Sequence, residues 1–126
     1  MIDFTHFAPA DGVPIYQQIL LYIKRGSVAG SICDGDELPS RRVLSALLGV
    51  NPNTVQKAYR QLEEEGLIVS HAGAKSFMAL DGAKLDRLRA ELLAQEARAA
   101  VAALRQMGLT RAEALALIEQ YWEEEG

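Results

Sequence analysis

Between Leu38 and Leu62 the chain reads LPSRRVLSALLGVNPNTVQKAYRQL, and this window constrains the fold more than any other. It holds two helix starts separated by a glycine. Ser40 is an N-cap type, because its hydroxyl can accept a first-turn N–H. Leu44, Leu47 and Leu48 follow as the expected buried stripe. Gly49 then stops the helix, since the position after a helix often needs left-handed backbone, and Val50 is expected to plug the turn into the core. Asn51-Pro52 restarts a helix at once: Asn caps it, and Pro at the first helical position loses an N–H that would be unpaired anyway. Val55, Ala58, Tyr59 and Leu62 recur at i, i+3, i+4 and i+7, one apolar face of a helix. Gly66 closes it after Glu63, Glu64 and Glu65, three carboxylates at the end that the helix dipole disfavours and expected to be solvated. Two short helices joined by so tight a turn form a helix-turn-helix.

The charge of the window departs from that of the chain. Residues 38–62 contain four basic residues and no acidic one, whereas the formal net charge of the whole is −4. Residues 1–80 hold seven Lys/Arg against eight Asp/Glu, and residues 81–126 hold six against nine. A phosphate responds to the field within one Debye length, roughly 8–10 Å, so the local excess matters more than the total. At 100° per residue, Asn53, Lys57 and Arg60 fall opposite the apolar face, with Thr54 and Gln56 flanking them. Amide, hydroxyl and cationic groups are those that pair with base edges and phosphates in a DNA groove, and the helix N-terminus adds unpaired N–H groups. On the preceding helix Arg42 points away from Leu44. Arg41 lies nearer the buried side and is expected to grip the backbone or an internal carboxylate.

The remainder organises around this window. Residues 1–13 are irregular, with Pro9 and Gly12 as breakers. A first helix is predicted from Pro14 to Ser27 or Val28, with Ile15, Ile19, Tyr22 and Ile23 on its apolar face, and Gly30 and Asp34-Gly35-Asp36 then make a turn. Residues 67–69 and 76–80 are β-prone runs around a hairpin loop with Gly73 near its tip. Asp81-Gly82 breaks the pattern. A long helix is predicted from about 83 to 106, with Leu85, Leu88, Leu92, Ala99, Ala103 and Leu104 on one side. Gly108 ends it, and Thr110 with Glu113 forms a capping box for a last helix carrying Leu115, Ile118 and Trp122, with Leu117 and Tyr121 beside them. The expected fold is α+β, mainly α: a winged helix-turn-helix in residues 1–80, then a two-helix C-terminal dimerisation tail in residues 81–126.

From Pro14 to Leu80 the chain resembles the DNA-binding domain of GntR-superfamily transcription regulators. The resemblance rests on Pro14-Ile15-Tyr16-Gln17-Gln18-Ile19, on Gly35-Asp36-x-Leu38-Pro39-Ser40-x-Arg42-x-Leu44, and on Gly49-Val50-Asn51-Pro52-Asn53-Thr54-Val55. It continues through Ala58-Tyr59-x-x-Leu62-Glu63-x-Glu65-Gly66-Leu67-Ile68. The short tail is similar to that of the YtrA-like branch, whose members dimerise through it. The resemblance implies DNA contact by Arg42, Asn51, Asn53, Thr54, Lys57 and the wing tip. Two departures stand out. Asp34-Gly35-Asp36 replaces the usual Pro-Gly-Asp. The wing tip His71-Ala72-Gly73-Ala74-Lys75 replaces a more basic run and leaves Lys75 as its fixed charge.

Together these readings predict a cytoplasmic, sequence-specific DNA-binding transcription regulator, a repressor that binds a pseudo-palindromic double-stranded operator as a homodimer. The expected DNA-contacting set is Ser40, Arg41, Arg42, Asn51, Asn53, Thr54, Gln56, Lys57, Arg60, His71, Gly73 and Lys75. The expected dimerisation set is Leu85, Leu88, Leu92, Ala99, Ala103, Leu115, Ile118 and Trp122, because a two-helix tail cannot bury two apolar faces by itself. The rival reading is a winged-helix protein-interaction module without DNA binding. Enzymatic activity is not expected, since no phosphate loop or nucleophile–base set is found. No cofactor is expected, and no residue pattern names a small-molecule effector. No metal site is expected either: His6, Cys33 and His71 lack ligand spacing, and Cys33 is expected to pack as a small apolar residue. No apolar run approaches the ~20 residues needed to span a bilayer, and the N-terminus lacks the basic region of a secretory signal.

Overall fold

In a computed structural model of the protein, which describes residues 1–71 and 75–125, the chain runs α1 (Ile15–Ala29), β1 (Glu37–Leu38), α2 (Arg41–Leu48), α3 (Pro52–Glu64), β2 (Ile68–His71), β3 (Lys75–Met78), α4 (Gly82–Gln106) and α5 (Arg111–Glu125). It divides into two compact units, Met1–Arg89 and Ala90–Gly126, with the boundary inside α4.

In the first unit α3 packs against both α1 and α2. Ile19 and Ile23 of α1, Leu44 of α2, and Val55, Ala58 and Leu62 of α3 are fully buried, as their helical spacing predicted. Tyr59 joins them and donates its phenol to the Pro39 carbonyl at 2.7 Å, tying α3 to the residue before α2. Leu47 departs from expectation and is 61% exposed. The reason is angular: the inward side of α2 is set by Arg41, Leu44, Ser45 and Leu48, and at 100° per residue Leu47 stands about 110° from the centre of that arc. Val50 reaches only a half-buried position.

The sheet is three-stranded and antiparallel, ordered β1-β3-β2. The strand β1 was not anticipated, because two residues carry no readable alternation. Leu38, the first residue of the helix-turn-helix window, pairs with Ser76, and Glu37 pairs with Phe77. The wing strands appear where expected but shifted toward the tip, with His71 opposite Lys75. Residues 1–13 are irregular but pinned. Ile2 donates its N–H to the Glu37 carbonyl at 2.8 Å, Phe4 stacks on Tyr22 at 5.0 Å between ring centroids, and the Gln18 amide bonds Ala10 and Val13. Ile32, not Cys33, is the buried residue of its turn; Cys33 is exposed.

The start of α4 is capped by Asp81, whose carboxylate accepts the Lys84 N–H at 2.8 Å. Lys84 also donates its ammonium to the carbonyls of Gly66 and Ala79, at 2.6 and 3.0 Å. In the second unit the reciprocal bonds of the predicted capping box are present: Glu113 N–H to Thr110 Oγ1 at 3.2 Å, and Thr110 N–H to Glu113 Oε1 at 2.9 Å. No residue of α5 among those described is buried.

Candidate nucleic-acid interface

The interface is built on the turn between α2 and α3. Ser40 Oγ accepts the Val43 N–H at 3.1 Å and starts α2. Gly49 ends it with φ 68°, a left-handed conformation that a side chain would strain. Asn51 Oδ1 accepts the Asn53 N–H at 2.8 Å and starts α3 one residue before Pro52. Ser40 and Asn51, both predicted to contact DNA, therefore spend their acceptor oxygens on capping. What Asn51 retains toward solvent is its amide NH₂, a donor.

On α3, Asn53, Lys57 and Arg60 are exposed, and Thr54 and Gln56 are half-buried at the edges of the stripe. Arg42 is exposed on α2. The packing of α2 on α3 thus brings Arg42, Asn53, Lys57 and Arg60 to the outer surface of one helix pair. Glu64 continues the same stripe one turn beyond Arg60, so the acid stands at the C-terminal end of α3. The neighbouring carboxylates are engaged and not simply solvated. Glu63 accepts from Ser70 Oγ at 2.7 Å, and Glu65 pairs with Lys24 at 2.8 Å.

Two cations sit on aromatic rings. The Arg41 guanidinium lies 5.7 Å from the Tyr59 ring centroid, and its Nε is buried with no hydrogen-bond partner. Among the described residues no carboxylate stands within ion-pair distance of Arg41; the helix phase that turns it inward places it over an aromatic ring. Burial holds the Tyr59 phenol well above its ordinary value, opposed by the nearby Arg41 charge. The Lys57 ammonium lies 4.0 Å from the Tyr16 ring centroid. Tyr16 was not among the predicted site residues. It stands on the face of α1 that carries Ile19, Leu20 and Ile23, one turn earlier, and its i, i+3, i+4, i+7 relation to them was the signal that its ring would face α3.

On the wing, His71 is exposed with its ring 5.2 Å from that of Phe77, and Lys75 is exposed opposite it. Gly73 lies outside the described residues. The open groove between residues 1–13 and α1 contains none of the predicted DNA-contacting residues. Among the described residues no group of three or more His, Cys, Asp or Glu is placed to hold a metal ion, and no helix is long and apolar enough to cross a membrane. Of the predicted dimerisation set, Leu88 and Leu92 are already buried and Leu85 is half-buried. Ala99, Ala103, Leu115, Ile118 and Trp122 are exposed.

The three helices, the tight α2–α3 turn and the β2–β3 wing define a winged helix-turn-helix. The sequence profile of bacterial regulatory proteins, gntR family, matches residues 15–77, and the chain belongs to that family. It is 41% identical over 71 residues to the HTH-type transcriptional repressor YtrA of Bacillus subtilis, a match covering 56% of this chain and 55% of that one; the chain thus matches about half the length of that relative. The fold is similar to a GntR family transcriptional regulator from Listeria monocytogenes, with TM-score 0.77 and 30% identity over 89% of this chain and 98% of that one. It is also similar to AraR(DBD) in complex with operator ORX1, with TM-score 0.50 and 28% identity over 57% of this chain and 89% of that one.

Proposed function

We propose that the protein is a DNA-binding transcription regulator acting as a repressor, and that it binds a pseudo-palindromic operator as a cytoplasmic homodimer. The observation that carries this reading is the outer surface of the α2–α3 pair. Arg42, Asn53, Lys57 and Arg60 are exposed there together, on helices that contain no carboxylate before Glu63. Asn53 and the amide of Asn51 have the chemistry to read base edges. Arg42, Lys57 and Arg60 have the chemistry to bind guanine or phosphate. Ser40, Arg41, Thr54 and Gln56 border that surface, and His71, Gly73 and Lys75 form a second, weaker contact at the wing. The repressor role is carried over from the relative YtrA, and operator binding is supported by the likeness to AraR(DBD), whose structure contains one.

The homodimer rests on the second unit. Leu115, Ile118 and Trp122 of α5 are 54%, 43% and 75% exposed, and Ala99 and Ala103 of α4 leave room for a close helix approach. Residues 81–126 are proposed to supply these surfaces to a partner copy. A two-fold pair of α3 helices about one DNA turn apart then matches two half-sites.

Selection of bound duplexes from a random pool tests the reading. The expected result is an enriched inverted repeat with half-sites spaced by about one helical turn, roughly 10 base pairs. Affinity should fall steeply between roughly 50 and 200 mM salt. Arg42→Ala and Lys57→Ala should weaken binding while leaving the dimer intact. No enrichment, or binding indifferent to salt, would instead favour a protein-interaction module.

A further inference from the structure

Lys57 and Lys24 are both lysines on the packed helices of the first unit, and they are held in opposite ways. Lys24 lies 2.8 Å from the Glu65 carboxylate, which cancels its charge. Lys57 has no carboxylate within ion-pair distance among the described residues, and the Tyr16 ring holds it at 4.0 Å instead. An aromatic face attracts a cation through its quadrupole without adding a formal charge. A lysine held this way keeps its formal positive charge for an anion. Tyr16 is half-buried at the start of α1, and its phenol oxygen accepts a bond from Gln17 Nε2 at 3.1 Å.

The direction of the tether matters as well. Tyr16 belongs to α1, beside α3, so the ammonium is drawn from the middle of the α3 stripe toward a neighbouring element. A recognition helix meets base edges with its N-terminal residues, while the elements beside it meet the sugar–phosphate backbone. We propose that Tyr16 is a positioning residue for nucleic-acid binding: its ring holds the Lys57 ammonium against an operator phosphate, so that Lys57 grips the backbone and does not read a base. This inference rests on the DNA-binding reading above and assigns a role to a residue outside the α2–α3 window.

The experiment uses the full chain and a duplex recovered from the selection, with affinities measured across a salt series. Lys57→Ala should lower the salt slope by about one and weaken binding by the same factor on every single-base variant of the operator. Tyr16→Leu should weaken binding about two- to fivefold, and Tyr16→Phe should restore wild-type affinity because the ring is kept. In a Lys57→Ala background, Tyr16→Leu should change nothing further. Tyr16→Glu, which supplies a neutralising carboxylate at a half-exposed site, should reproduce the lowered salt slope of Lys57→Ala. Melting temperatures accompany each variant, and the Phe and Glu variants decide the matter if the Leu variant folds poorly. A wild-type chain that binds no duplex overturns the DNA reading and this proposal together. A wild-type chain that binds, with Tyr16→Leu and Lys57→Ala additive, overturns this proposal alone. So does a Lys57→Ala effect confined to one base position.

Discussion

The helices α3 and α5 carry nearly the same apolar spacing and meet opposite fates. In α3, Val55, Ala58, Tyr59 and Leu62 are all buried. In α5, Leu115, Ile118 and Trp122 repeat a similar period, yet no described residue of that helix is buried. Periodicity states which side of a helix is apolar; it does not state what covers that side. The stripe on α3 is covered within the chain by α1, α2 and the sheet. Among the described residues the stripe on α5 stays largely uncovered, with Leu115, Ile118 and Trp122 54%, 43% and 75% exposed, and an exposed row that ends in a tryptophan is costly to leave in water. The comparison separates residues that make the fold from residues left at the surface.

The largest expected effect lies on the covered side. Leu62→Ala removes a fully buried side chain and should destabilise the first unit by about 2–5 kcal/mol, seen as a lower denaturant midpoint. Leu115→Ala removes a side chain of the same size from a site that is 54% exposed, and in a dilute monomer it should change stability far less. Equal losses from the two substitutions would break the comparison.

The second effect reverses the ranking. Ile118→Asp or Trp122→Ala should leave the first unit folded and shift the chain toward monomer in sedimentation. Each should cost about 2 kcal/mol or more of association if these residues are central to a dimer surface. Operator affinity should fall with the loss of the dimer, while binding of a single half-site by the first unit persists. Unchanged association in both variants would remove α5 from the interface.

The same contrast explains what was legible beforehand. Helix starts were legible because caps are local: Ser40, Asn51 and the Thr110–Glu113 pair each act within three residues. The core of α3 was legible because four residues fix a face. The two-residue β1 was not, since Glu37 and Leu38 become a strand only through pairing with Phe77 and Ser76. Leu47 was misplaced because the inward side of α2 is set by Arg41 and Ser45 as much as by leucines. Arg41 over Tyr59 and Lys57 over Tyr16 each require knowing which helix lies alongside, and no spacing within one helix supplies that. The α3 stripe of Asn53, Lys57 and Arg60 was legible as exposed chemistry. Its division between base edges and phosphates depends on neighbours, and that is where the proposal about Tyr16 begins.

A third effect compares the helix surface with the wing. Arg60→Ala should reduce the salt slope of operator binding by about one. Lys75→Ala should do less, because the described wing residues present one fixed cation on short strands whereas the helix pair presents Arg42, Lys57 and Arg60. Measured slopes of wild type and the two variants rank them directly. A larger loss from Lys75→Ala would move the main electrostatic contact to the wing.

The smallest effect concerns how each helix is started. Asn51 begins α3 with a neutral cap on a helix whose core would hold it regardless. Glu113 begins α5 with an ionisable one, on a helix without a buried face. Its carboxyl is held below the ordinary value of 4.5, first by the N–H donated from the Thr110 backbone and then by the Thr110 side chain. A carboxyl lowered in the folded state favours folding while it is ionised. Its contribution is therefore complete above the ordinary carboxylate range and is lost as pH falls through the lowered value. Helix content of α5 should therefore decline on acidification in the wild type relative to Glu113→Gln, which keeps an acceptor and carries no titrating group. The difference between the two circular dichroism curves isolates this contribution from that of every other carboxyl group in the chain. Identical curves would mean that α5 is held by something other than its first turn, and a partner surface covering Leu115, Ile118 and Trp122 would then carry the helix as the core carries α3.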